Sequence, residues 1–177
     1  CCRSAGRGCE QNREWRTTLT TGIKTAEFET LRAADGALMD GESDPIANAA
    51  NLAALLFHEL TDVNWVGFYF LRDGELVVGP FQGRPACVRI AVGSGVCGTA
   101  AATRTTQRVA DVHSFDGHIA CDAASNSEIV VPLVRDGELL GVLDVDSPSF
   151  DRFDGEDQAG LEQIAKDFVA VLGRAEL

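Results

Sequence analysis

A chain of 177 residues, 45% of them hydrophobic, is long enough for one domain with a substantial core and too short for a two-domain dehydrogenase. Its formal net charge of -12 argues against nucleic acid and anionic membrane surfaces as partners, because no basic patch is segregated past residue 24. No window approaches the ~18 consecutive apolar residues of a membrane span, so a soluble protein is expected.

The charge is divided unevenly. Residues 1–24 carry five Lys/Arg and two Asp/Glu, a balance of +3, which leaves -15 for residues 25–177. This opening segment, with Cys1, Cys2 and Cys9, shows no clear periodicity. It is expected to be an N-terminal extension, disordered or artefactual, ahead of a single domain over residues 25–175.

The run "AEFETLRAADGAL" is moderately helical, and a stronger helix follows, opening with Asp44 as N-cap and Pro45 at its first position. Leu52, Leu55, Leu56 and Leu60 give that helix one apolar face. Next, "VNWVGFYFL" and "ELVVGPF" flank Asp73-Gly74, a β-hairpin signal, and "IVVPLV" and "ELLGVLDV" flank Asp136-Gly137 in the same way. The pentapeptide "RDGEL" occurs at both turns, an identity that the demands of such turns explain without a duplicated domain. Between the hairpins stand a strand-like "CVRIAV", a short helix "CGTAAATR", a strand-like "TQRVADV" and a loop over 111–127. A final helix starts near Asp154, with Leu161, Ile164, Ala165, Phe168 and Leu172 on one face.

This order lacks the strict alternation of a parallel sheet. The fold class expected is α+β, a central antiparallel sheet of five or six strands with helices packed on one face and the 111–127 loop over the other face or an end. Such a loop is where a ligand site belongs.

Gly93, Gly95 and Gly98 have the G-x-G-x-x-G spacing of a dinucleotide-binding turn. Only about eight residues, Cys97 to Arg104, separate it from the next strand-like run, too few for a crossover helix that spans a sheet. The glycines are instead expected to serve a tight strand-to-helix turn with ligand-facing amides.

Three cysteines lie in the body of the chain: Cys87 at the start of a strand, Cys97 at a helix start where amide dipoles favour thiolate, and Cys121 in the long loop. An odd number without an export signal suggests working thiols and a cytoplasmic setting. Zinc is the competing use, with His113 and His118 as further donors, but no C-x-x-C knuckle is present. No bound metal or cofactor is expected.

With these residues in view, the sequence resembles the free methionine-(R)-sulfoxide reductases, which are single GAF domains. The resemblance runs from about residue 44 to 173 and rests on "NWVGFYF", "CVRIAVGSGVCGTAA", "DVHSFDGHIACDAASNSEIVVP" and "GVLDVDSP". It implies Cys121 as the catalytic thiol and Cys97 and Cys87 as resolving thiols. It also implies thioredoxin or another dithiol as electron donor, free methionine sulfoxide as substrate, and a homodimer. The carboxylates it marks are Glu128, Asp144 and Asp146. Asp144 and Asp146, two apart on a strand, share a face, and crowded like charges raise one another's pKa and can hold a proton for the sulfoxide oxygen. Trp65 and Tyr69 match the aromatic pocket for the S-methyl group and share a face of their strand. Ser125 and Asn126 are polar neighbours without an assigned role. The alternative is a non-catalytic GAF module that senses a small molecule or redox state.

Overall fold

The computed structural model describes residues 24, 26–115, 117 and 124–172. Helix α1 covers residues 26–39. There follow α2 (Pro45–Glu59), β1 (Trp65–Arg72), β2 (Glu75–Gln82), β3 (Arg89–Ala91), α3 (Gly95–Thr103), β4 (Gln107–Val109), one 3-10 turn (Val112–Ser114), β5 (Ser127–Arg135), β6 (Glu138–Ser147) and α4 (Gly155–Val171).

The six strands form one sheet in the order β3-β2-β1-β6-β5-β4, and every pairing is antiparallel. The two hairpins form as expected, because Asp73-Gly74 and Asp136-Gly137 all sit at positive φ, the geometry that matches strand twist in a two-residue turn. Helices α2 and α4 start where the sequence indicates, whereas α3 begins at Gly95, two residues before the expected Cys97. Asp44 accepts from the amides of Ile46 and Ala47, with Pro45 at the first position, and Asp154 and Asp157 form a reciprocal capping box. Lys24 reaches the same end of α4, 2.8 Å from both Asp154 and Asp157.

Period-two alternation divides the central strands between two cores. Val66, Phe68 and Phe70 of β1, Ile129, Val131 and Leu133 of β5, and Leu143 and Val145 of β6 meet α1, α2 and α4 in the larger core. On the opposite face Trp65, Tyr69, Val130 and Val142 meet Val96, Cys97, Ala100 and Ala101 of α3. The long helices therefore share one face, and the short α3 lies across the other.

The glycine-rich turn that delivers α3 is governed by its backbone. Gly93 and Gly95 have φ of 91° and 62°, and a Cβ on Gly98 would collide with the carbonyl of Ala91. Among the described residues the preceding strand has no parallel neighbour, so the dinucleotide reading fails on topology. That strand is also shorter than expected. It begins at Arg89, which leaves Cys87 in the crossover from β2, where Pro85 removes an amide that a ladder would need.

Candidate functional site

The site grows from three adjacent strands on the α3 face. In register, Trp65 of β1 stands opposite Asp146 of β6, and Asp146 opposite Glu128 of β5. One row further, Gly67 faces Asp144, which faces Val130, and beyond them Tyr69 faces Val142. Directly opposite residues project to the same side of a sheet, so Glu128, Asp144 and Asp146 converge beside the aromatic pair. Trp65 and Tyr69 stack with centroids 5.9 Å apart and are buried.

Helix α3 lowers Cys97 onto these carboxylates. Its thiol donates to Asp144 Oδ2 at 3.3 Å and approaches Glu128 Oε1 at 3.8 Å. Glu128 and Asp144 are each only 6% exposed, and Asp144 Oδ1 is buried without a hydrogen-bond partner among the described residues. Burial, then the neighbouring carboxylates, pushes Glu128 well above the usual carboxylate range, and burial lifts Asp144 to about 7. Two acids this close in a desolvated site hold a proton at neutral pH.

The same environment corrects the expectation for Cys97. Its position at a helix start suggested a depressed pKa, but burial, followed by Asp144 and Glu128, pushes the thiol well above its ordinary value. The helix amides contribute only part of a charge, whereas desolvation and two acidic neighbours act together. Cys97 rests as a thiol.

Its Sγ and one oxygen each of Glu128 and Asp144 lie within 4.8 Å of one another. Among the described residues this trio is where a cation would find three donors. His113, weighed as a zinc ligand, instead meets Asn126 Oδ1 through Nε2 at 3.1 Å.

That contact belongs to the footing of the long loop. Asp111 accepts from His113 N and Ser114 Oγ, Val112 N donates to Asn126 O, and Asn64 Nδ2 donates to Ser125 Oγ at 3.1 Å. Asn126 also donates from Nδ2 to Pro148 O at 2.6 Å. Ser125 and Asn126 thus pin the loop to β6 and to the segment before β1. Cys121 and His118 lie outside the described residues. Cys87 is half-buried in the crossover between β2 and β3 and packs beside the smaller core.

Sequence reasoning missed Phe81, which also stacks with Trp65, with centroids 5.3 Å apart and planes at 15°. The available signal was Gly67, opposite Phe81 in the ladder, whose missing side chain makes room for the indole.

The sequence matches the GAF domain family over residues 47–172. It is 56% identical over 153 residues to the free methionine-R-sulfoxide reductase of Escherichia coli strain K12, an alignment covering 86% of this chain and 93% of that protein. Among solved structures, the reduced form of fRMsr of Staphylococcus aureus superposes with a TM-score of 0.80 at 52% identity, over 82% of this chain and 95% of that one. The free methionine-R-sulfoxide reductase of Neisseria meningitidis, in complex with its substrate, superposes with a TM-score of 0.81 at 43% identity, over 84% of this chain and 89% of that one.

Proposed function

Because the chain belongs to the free methionine-R-sulfoxide reductase family of GAF domains, we propose that this oxidoreductase reduces free methionine-(R)-sulfoxide to methionine with its own thiols. The observation that carries the reading is the buried cluster of Cys97, Glu128 and Asp144 on the face that presents Trp65 and Tyr69. It combines a thiol, a retained proton, acidic groups for an ammonium and an apolar wall.

In the proposed reaction the Cys121 thiolate attacks the sulfoxide sulfur while the Glu128–Asp144 pair delivers a proton to the departing oxygen. The protonated oxygen passes from the substrate sulfur to the Cys121 sulfur as its bond to the substrate breaks, so methionine leaves and Cys121 is left as a sulfenic acid. Cys97 or Cys87 then condenses with it, water departs, and a disulfide remains. Two thiols have been oxidised and one sulfoxide reduced. A thioredoxin-type dithiol restores the thiols by exchange, so no prosthetic group is required.

The substrate's ammonium is placed on Asp144, Asp146 and Glu128, and its S-methyl group against Trp65 and Tyr69. The unpartnered Oδ1 of Asp144 supports the first placement, since a buried carboxylate oxygen gains most from a charged donor. An ammonium there also relieves the negative field on Cys97, which helps it lose its proton for the resolving step. A homodimer in the cytoplasm completes the proposal; no described helix is long and apolar enough to cross a membrane.

The test is NADPH consumption with free methionine-(R)-sulfoxide, thioredoxin and thioredoxin reductase, for wild type and Cys121→Ser. Turnover by the wild type alone supports the proposal. No turnover, or equal turnover by the variant, refutes it, and binding without turnover would favour a sensor. Peptide-bound sulfoxide should be a poor substrate, because it lacks the free ammonium.

A further inference from the structure

Trp65 does more in this structure than stack beside Tyr69. Its indole stacks with both Tyr69 and Phe81, with centroids 5.9 Å and 5.3 Å away, in a slot that two glycines keep open. A Cβ on Gly67 would stand 2.5 Å from Cη2, and one on Gly83 would stand 2.6 Å from Cδ1 and 2.7 Å from Asn64 O. Gly83 also has φ of +127°, a conformation that side chains disfavour. Held this way, the ring aims its one polar atom outward, and Nε1 donates to the carbonyl of Arg84 at 3.1 Å.

Arg84 is exposed and lies three residues before Cys87, in the crossover between β2 and β3. After Cys87 the chain is held again, where Val78 N donates to Val88 O at 3.0 Å. The segment carrying Cys87 therefore has one of its fastenings on an aromatic ring of the site. We propose that Trp65 is a positioning residue for Cys87. Its N–H fixes the Arg84 carbonyl, and Gly67 and Gly83 hold the indole at the angle that makes this possible. The placement of the thiol does not depend on the reductase reading; only its kinetic consequence, slower resolution by Cys87 when the tether is cut, rests on it.

The test is the alkylation rate of each cysteine in the reduced full-length protein, followed by peptide mass spectrometry after iodoacetamide pulses. Trp65→Phe keeps an aromatic ring but deletes the N–H, and should raise the Cys87 rate about five-fold, the factor expected for local opening on losing one neutral hydrogen bond. Gly83→Ala keeps the N–H but crowds the slot and should act in the same direction. Cys97, held against the sheet by α3, should change by less than about two-fold in either variant. Gly74→Ala, which strains a turn with nothing within 4 Å of the added carbon, is the control and should leave the Cys87 rate unchanged. A Cys87 rate unmoved in both test variants overturns the proposal, as does an equal rise at Cys87 and Cys97 in all three. If Trp65→Phe fails to fold, the Gly83→Ala result decides. A wild type that releases no methionine from the sulfoxide would remove the reductase reading and leave the alkylation comparison intact.

Discussion

Replacing Asp144 with asparagine should stabilise the protein above neutral pH while removing its activity. Burial holds this carboxyl at about 7, against an ordinary value of 3.8. Between those values the unfolded chain has lost the proton and the folded chain still binds it. The stability contributed by the protonated acid is thus complete below about pH 4, declines as pH rises, and is lost once pH passes about 7. Each pH unit is about 1.4 kcal/mol, so three units set a ceiling of about 4 kcal/mol, and sharing the proton with Glu128 lowers it to about 2–4 kcal/mol. Asparagine carries no charge to desolvate and keeps an oxygen to accept the Cys97 thiol. Urea unfolding of both proteins from pH 4 to pH 9 should show equal stability at the acidic end and a more stable variant at pH 8. A variant that is less stable at pH 8, or one whose difference from wild type is the same at both ends, would refute the assignment of a desolvated, proton-holding acid.

Three further outcomes follow from the same geometry. Glu128→Gln should lower kcat for sulfoxide reduction by about 100-fold or more, the usual loss on deleting a positioned proton donor, as read in the NADPH-coupled assay. Asp35 sits on the buried stripe of α1 with Phe28, Leu31 and Met39, with neither carboxylate oxygen hydrogen-bonded among the described residues, and burial followed by Asp167 holds it at about 6. Its stabilising protonated form is present below about pH 4 and lost as pH rises through 6, so Asp35→Asn should gain about 1–3 kcal/mol at pH 8 relative to pH 4 in the same unfolding series. Gly98→Ala should lower stability by about 2 kcal/mol in thermal unfolding, since its methyl group would drive α3 off the Ala91 carbonyl.

The hairpins, the caps of α2 and α4 and the two-faced strands were legible because each is decided by residues close together in the chain. Asp-Gly supplies two positive-φ positions, and Asp44-Pro45 supplies a cap and a preset φ. The meeting of Glu128 with Asp144 and Asp146 was harder to read. Counting back from the turn pair Arg135–Glu138 places Glu128 opposite Val145, on the wrong face. The register shift between Leu133 and Val134 moves it opposite Asp146 and assembles the acidic cluster. Nothing in a hydrophobic pattern locates a one-residue bulge. The protonation state of Cys97 is hidden from the sequence for a related reason. The helix start is visible around residue 97, whereas the acids that hold its proton are 31 and 47 residues away.

Thiol reduction of a free sulfoxide is tested by a single turnover without external reductant. Reduced protein is mixed with a slight excess of free methionine-(R)-sulfoxide, and released methionine and remaining thiols are counted by mass spectrometry. The expected result is one methionine per chain, the loss of two thiols and a disulfide joining Cys121 to Cys97 or Cys87, with neither product from Cys121→Ser. Methionine formed without thiol loss, or no methionine at all, would contradict it.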